Sequence, residues 1–541
     1  MEHMIADRRS AATRRRLLGG VAAGVAANTL DWLALPAWAA EVDDRAKFPV
    51  VVVGAGIGGV TAAAYLAKSG FPTTVVEQAE RPGGYAVSFQ REGFTFEVTP
   101  HFGLGLLPYL EELGLKDRIE LVQPPGGVHI VGRDVETRLP VNDAPALQRA
   151  LIERFPSQAE RIPAFLAELG QLVREYRAPV TDPKTVGTTH PVMTQLSGET
   201  AERFLSRHFT DPTLKDALVS LAYMWGMPPS ELTGTNMAVG IAASLLTAGR
   251  QFVRHSPYSL AEVLAQSVRD HGGKVVLGTR VTGITVKDGA VAGVVMQGGQ
   301  SLAARAVISN ANGPDTFERL LPADSLPAEY RARLRTFRHS TSTFCVWLGL
   351  RESLAGRVGG YSHAILPDGL DWNASYAAVR AGDLDRHGFG VYTYDNVEPR
   401  YAPRGKGMVN MVMMCDFGPW QRFEVDYLAG RKEAYKAEKD RIANLLIDRA
   451  EARLIPGLRS LIEVREASTP LTNLRYTSNP GGAIHGYQCT LDNCGRTRIR
   501  NKTPVKGLYL ASAWGDPGGG VNPVMRGAQG VFKALMDDWR A

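Results

Sequence analysis

The chain has 541 residues, 44% of them apolar and 21% charged, and carries a formal net charge of +6. That balance excludes a disordered chain, and the length predicts two interleaved domains rather than one. Charges are spread without a basic stripe, the four cysteines (Cys345, Cys415, Cys489, Cys494) form no CxxC, and no apolar run beyond residue 40 reaches membrane-spanning length. A nucleic-acid partner, a zinc or other metal site and a thioredoxin-like dithiol are therefore not expected.

Residues 1–40 read as a targeting segment. Thr13-Arg14-Arg15-Arg16-Leu17-Leu18 has the twin-arginine export pattern, and Ala37-Trp38-Ala39 supplies a small-x-small cleavage site. Between them lies a Gly/Ala-rich stretch interrupted by Asp31. The competing reading is a basic tail with a chance arginine triplet. Export predicts a periplasmic protein, soluble or peripheral to the membrane, that leaves the cell already folded around its cofactor.

The chain is organised around Phe48 to Gly84. Val50 to Val53 is a short β-branched run that reads as a buried parallel strand. Gly54-Ala55-Gly56-Ile57-Gly58-Gly59 breaks it, a helical pattern follows from Val60 to Ser69, and a second run, Thr73 to Val76, ends at Glu77. Each part has a mechanical use. Gly54 permits the tight turn, Gly56 lets a pyrophosphate approach the backbone, and Gly59 lets the helix lie close to the strand. Gly58 completes the loop whose helix N-terminus faces the phosphates. Glu77, with Gln78 beside it, stands about 20 residues on, where a ribose hydroxyl needs an acceptor. The unit reads as dinucleotide-binding.

Arg81-Pro82-Gly83-Gly84 follows the acid at once, the arrangement in which a chain turns back over FAD rather than NAD. The stretch from Gly83 to Gly105 resembles the phytoene desaturase, carotenoid isomerase and retinol saturase group of flavoproteins. Gly507 to Leu535, some 400 residues later, resembles that group's closing FAD motif. The resemblance implies an α/β fold: a discontinuous Rossmann-type FAD-binding domain (47–130, 255–320 and 481–541) with an interleaved α+β substrate domain (131–254 and 321–480). It also implies hydride transfer to or from flavin N5 on a long apolar, unsaturated substrate. An amine-oxidase-like flavoenzyme, or a flavin-bearing protein without turnover, stands as the alternative.

Further along, Pro108 to Leu115 reads as a helix, Leu121 to Pro140 as strands, and Pro145 to Arg177 as helical. The apolar stretches Leu218 to Pro229 and Met237 to Gly249 read either as core helices or as walls of a lipophilic cavity. Leu260 to Gly272 is an amphipathic helix, and glycine-punctuated strands lead to Ala306-Val307-Ile308-Ser309-Asn310. In FAD proteins of this architecture Val281 sets its backbone against the adenine. Thr343 to Leu350 and Met408 to Met414 read as buried strands, and Lys432 to Arg453 as a charged helix.

In the closing motif Asp516 is a candidate acceptor for a ribityl hydroxyl. Gly519, Gly520 and Val521 open a helix whose N-terminus suits charge on a reduced flavin. His101 lies where the isomerase and saturase relatives carry a histidine, although Glu97-Val98-Thr99 replaces their Asp-x-Gly. His101 and Tyr476 are the catalytic candidates, with Arg475, His485 and Tyr487 as further cavity residues. Cys489 and Cys494 allow a disulfide, a cysteinyl bond to flavin or two free thiols. Only one GxGxxG is present. NAD(P)H is therefore not expected as the routine partner, and oxygen, a membrane quinone or, for an isomerase cycling its flavin, no net acceptor at all remain.

Overall fold

The computed structural model describes residues 43–540 apart from 99–104, 134, 179–184, 247–250, 361 and 370. Val50–Val53 is buried on both faces and is the centre of a five-stranded parallel sheet. Its neighbours are Thr73–Val76 on one side and Ala306–Ser309 on the other, with Lys274–Val276 and Leu508–Leu510 at the edges. Three widely separated pieces of chain thus build one sheet. The helices Ile57–Lys68, Pro257–Asp270 and Val521–Arg540 share one apolar core on this sheet, with Val60, Leu66, Leu264, Val531 and Leu535 fully buried. A three-stranded antiparallel sheet (Val281–Lys287, Ala290–Met296, Ser301–Ala303) adjoins it.

The second domain is a mixed seven-stranded sheet, ordered Ile462–Ser468, Ser342–Leu350, Gly407–Cys415, Phe389–Tyr392, Ser362–Ile365, Val128–Val131, Glu136–Leu139. Because Val128–Val131 pairs into this sheet, the boundary expected at 130 falls inside a strand and belongs a few residues earlier. The long inner strand Ser342–Leu350 shows what the sheet is for. Alternate side chains point to opposite faces. Phe344, Val346 and Leu348 are buried against Ile442, Leu446 and Ile447 of the helix Glu433–Arg453, each burial contributing about 1.5–3 kcal/mol. Thr343, Cys345 and Trp347, on the opposite face, line a large internal cavity.

The helical stretch after residue 144 is two helices, Ala144–Arg154 and Ile162–Arg177, because Pro156 opens a 3-10 turn between them. The apolar stretch 218–229 and the described part of 237–249, residues 237–246, fold as the end of Pro212–Val219, a turn at Tyr223–Trp225 and the helix Gly234–Leu245. Among the described residues no helix is long and apolar enough to cross a membrane.

Candidate active site

A cavity of about 2370 Å³ runs between the two domains, more than twice the roughly 1,000 Å³ at the upper end of ordinary small-molecule sites. Its nucleotide end is lined by Gly54, Gly56 and Gly58 of the first turn, Glu77 and Gln78 at the end of the second strand, and Arg81, Gly83 and Gly84 of the following turn. Val281 from the middle piece of chain and Gly519, Gly520 and Val521 from the last piece complete it. All these residues, expected from sequence, face one space. Gly59 does not line it. A Cβ there would strike the Gly54 carbonyl, so Gly59 allows close packing of helix on strand.

The geometry of the first turn fits a pyrophosphate. Gly54 has φ +97°, which only glycine adopts readily. Gly56 is the N-cap of the helix Ile57–Lys68 and no side chain caps it, leaving the first-turn N–H groups free. The turn at Arg81–Gly84 closes on this loop, with Gly83 N–H donating to the Ala55 carbonyl at 2.8 Å. Glu77 accepts from Ala55 N–H at 2.6 Å and from Ala79 N–H at 2.8 Å. Each carboxylate oxygen thus keeps a lone pair for a hydroxyl donor.

Sequence reasoning missed Asn310. It follows the strand Ala306–Ser309, lines the cavity, and donates Nδ2–H to the Ala511 carbonyl at 2.5 Å. Its side chain is what a Cβ on Gly56 would meet first, at 2.5 Å from Oδ1. One amide therefore ties the first turn to the closing motif.

Several other expectations are corrected. Asp516 does not line the cavity. Its carboxylate accepts from Arg500 at 3.4 Å, and its backbone N–H and carbonyl are held by Asn501. Tyr476 lines the cavity but is 73% exposed, which places it at the rim rather than in a dry reaction chamber. Arg475 and Tyr487 do not line it. Tyr487 instead stacks edge-on against Trp514 at 4.8 Å. His101 lies outside the described residues, as does the segment 1–40.

All four cysteines are free thiols. Neither Cys489 nor Cys494 lines the cavity, and the Cys494 Sγ lies 3.0 Å from Asn236 Oδ1. The fully buried Arg498 lies beside Cys489, 3.4 Å from its Sγ, and clasps the closing motif through the Gly515 carbonyl at 2.6 Å and the Ala513 carbonyl at 2.9 Å. A hydrogen bond from Cys494, with the Arg498 guanidinium, holds the Cys489 thiol below its ordinary pKa.

His485 is the imidazole that does enter the cavity. Its Nε2 lies 2.8 Å from the Met224 carbonyl, so Nε2 carries the proton and donates. Nδ1 is then a buried acceptor without a partner among the described residues, close enough to Gly519 that a Cβ there would stand 2.6 Å away. Burial pushes the ring's pKa down and keeps it neutral.

Beyond the glycines the cavity is walled by Leu172, Val173, Leu221, Ala222, Met224, Trp225, Val239 and Ala242. The apolar helices are thus both core and wall: Ala238, Ile241 and Leu245 pack inward, while Val239, Gly240 and Ala243 face the space.

The sequence model of the flavin containing amine oxidoreductases matches residues 57–526. The chain is 24% identical over 514 residues to prolycopene isomerase 1, chloroplastic, of an Oncidium hybrid cultivar, spanning 89% of this chain and 83% of that one. It is 26% identical over 512 residues to the zeta-carotene-forming phytoene desaturase of Myxococcus xanthus, spanning 90% and 93%. An oxidoreductase from Methanosarcina mazei shares the fold, with a TM-score of 0.62 at 16% identity over 90% of this chain and 100% of that one. With both glycine-rich ends meeting in one cleft and the match running through most of the sequence, the chain belongs to the flavin containing amine oxidoreductase family, and it is an FAD-dependent oxidoreductase of the carotenoid desaturase and isomerase kind.

Proposed function

We propose that this enzyme moves a hydride between flavin N5 and a carbon of a long apolar, unsaturated substrate, acting as a desaturase, saturase or isomerase. The observation that carries the reading is the apolar lobe walled by Leu172, Leu221, Met224, Trp225 and Val239, continuous with the glycine-lined end of the same cavity. The relatives named for prolycopene and phytoene chemistry support a greasy polyene as its occupant.

In this reading the free N–H groups after Gly56 hold the pyrophosphate, Glu77 the ribose and the backbone at Val281 the adenine. Gly519, Gly520 and Val521 approach the pyrimidine edge of the isoalloxazine. FAD, when bound, supplies the two-electron carrier. The protein's own work is to place the reacting carbon and keep water out, which hydride transfer needs more than an acid or base. Neutral His485 fits that scheme as an acceptor, because its one ring proton is already given to Met224.

Anaerobic mixing of the purified holoprotein with a polyene lipid extract should bleach the flavin band or interconvert polyene isomers, and mixing with primary amines should do neither. Bleaching by amines alone would replace this reading with an amine oxidase.

A further inference from the structure

We propose that the substrate carries an anionic group at one end, a carboxylate in the first instance, and that Arg526 receives it. This deepens the reading above and rests on it. Arg526 lies in the helix Val521–Arg540, little more than one turn beyond the residues that face the flavin end, and its side chain lines the same cavity. The guanidinium carbon sits 4.4 Å above the ring of Tyr176. Tyr176 belongs to the helix Ile162–Arg177 and, with Leu172 and Val173, walls the apolar lobe.

What Arg526 lacks is a counter-ion. Among the described residues no carboxylate lies within ion-pair distance of it. Its electrostatic neighbours are the tyrosines Tyr176 and Tyr109, with Asp516 acting only at longer range. Glu112, an acid that lines the same cavity, is already engaged: Gln529 donates to both its oxygens at 2.8 and 2.6 Å, and Tyr65 donates at 2.5 Å. A guanidinium removed from most of its water without an anion is costly, and such a group persists where a ligand supplies the missing charge.

The geometry suits a terminal anion rather than a mid-chain one. On the same helix face Gln529 and Lys533 follow at helical spacing and also line the cavity, and Arg177 lines it from the opposite helix. Lys533 and Arg177 are solvent-exposed. The apolar wall therefore gives way to cations where the lobe meets solvent. A hydrocarbon tail would lie along Leu172, Val173 and Leu221, with its charged end on the planar fork of Arg526. A pure hydrocarbon would leave that fork with the Tyr176 hydroxyl but no anion.

The test uses the FAD-loaded protein and two probes with one carbon skeleton, all-trans-retinoic acid and its methyl ester, titrated against Trp fluorescence and the flavin spectrum. The acid should bind about 10- to 100-fold tighter than the ester, the range for a charge-assisted hydrogen-bonded pair. Arg526→Gln should bring that ratio to about one while leaving the ester's affinity and the FAD content unchanged, and Arg526→Lys should keep part of the preference. Equal affinities for acid and ester in the wild type would overturn the inference and leave the polyene reading standing. Loss of FAD from Arg526→Gln would also overturn it, by making Arg526 a cofactor ligand. Failure of both probes to bind would remove the polyene reading and this inference with it.

Discussion

A methyl group at Gly56 puts the tie between the first turn and the closing motif to a quantitative test. Gly56 has φ −65° and ψ 166°, extended backbone open to any residue. Gly56→Ala therefore carries no conformational penalty, and by restricting the unfolded chain it would by itself stabilise the fold by about 0.4–1 kcal/mol. The cost lies elsewhere. The new Cβ would stand 2.5 Å from Asn310 Oδ1, well inside contact distance, and Asn310 is pinned by its bond to the Ala511 carbonyl at 2.5 Å. Turning the amide aside strands that carbonyl, at about 1–3 kcal/mol. If the loop must hold that shape to receive FAD, the loss in affinity is roughly 5- to 150-fold. The assay is FAD affinity of the apoprotein, read by flavin fluorescence quenching, for wild type, Gly56→Ala, Asn310→Ala and the double variant. Both changes act through one contact, so the double variant should bind no more weakly than Asn310→Ala, with a coupling of about 1–2 kcal/mol. Strictly additive losses would refute the reasoning and return the clash to the pyrophosphate itself.

Acid should destabilise the protein through His387, which burial, with Arg449 near it, pushes down to about 3. A histidine whose folded value lies below its unfolded value of about 6.5 leaves stability complete above that pH and withdraws it as the pH falls toward the folded value. His387→Asn should flatten the acid limb of the urea-midpoint profile, and an unchanged limb would remove His387 from the account. For export, replacing Arg14 and Arg15 by Lys should hold the protein in the cytoplasm, and N-terminal sequencing of the exported form should begin near Ala40 or Glu41. Undiminished export of that variant would sink the twin-arginine proposal. In stopped flow, NADH and NADPH should reduce the flavin slowly, while oxygen or a soluble quinone reoxidises it fast. Rapid reduction by either nicotinamide at micromolar concentration would reverse the acceptor proposal. FAD should leave the polypeptide on acid precipitation, and retention would point to a cysteinyl bond.

The nucleotide end is legible in sequence because its demands are local. Gly54, with its positive φ, and Gly59, whose Cβ would meet the Gly54 carbonyl, answer to steric limits within a single strand-to-helix turn, whereas Gly58, whose Cβ would meet the Ala511 carbonyl, is legible only through the glycine pattern it completes. Asn310 answers to the same turn, yet nothing around it repeats or alternates. Only the assembled sheet brings a residue from beyond position 300 against residue 56. Strands such as Ser342–Leu350 are legible from unbroken apolar runs. Which face meets the cavity is not, because both faces are buried and the side chains of both are largely apolar. Tyr476 and Asp516 fail for a related reason. Their local sequence marks them as polar residues near the site, but which way each points is decided, for Tyr476, by how its own helix Pro470–Thr477 is set against the sheet and, for Asp516, by Asn501.

The order of strands in the parallel sheet has a consequence for how the protein is made. Val50 pairs with the nearby Thr73 on one edge, but on the other it is registered against Ala306, and Ile308 in turn against Tyr509, so one edge of this strand waits for a partner nearly half a chain away. Closing loops of that length slows assembly more than it weakens the product. The outer strand Leu508–Leu510 and the helix Val521–Arg540 are synthesised long after the strands they complete. Until they emerge, Asn310 has no Ala511 carbonyl to hold and the loop at Gly56 has no fixed wall. Flavin capture in this chain therefore waits for residues beyond 508, and any truncation upstream of Leu508 yields a protein with an intact glycine signature and no finished place to put the cofactor.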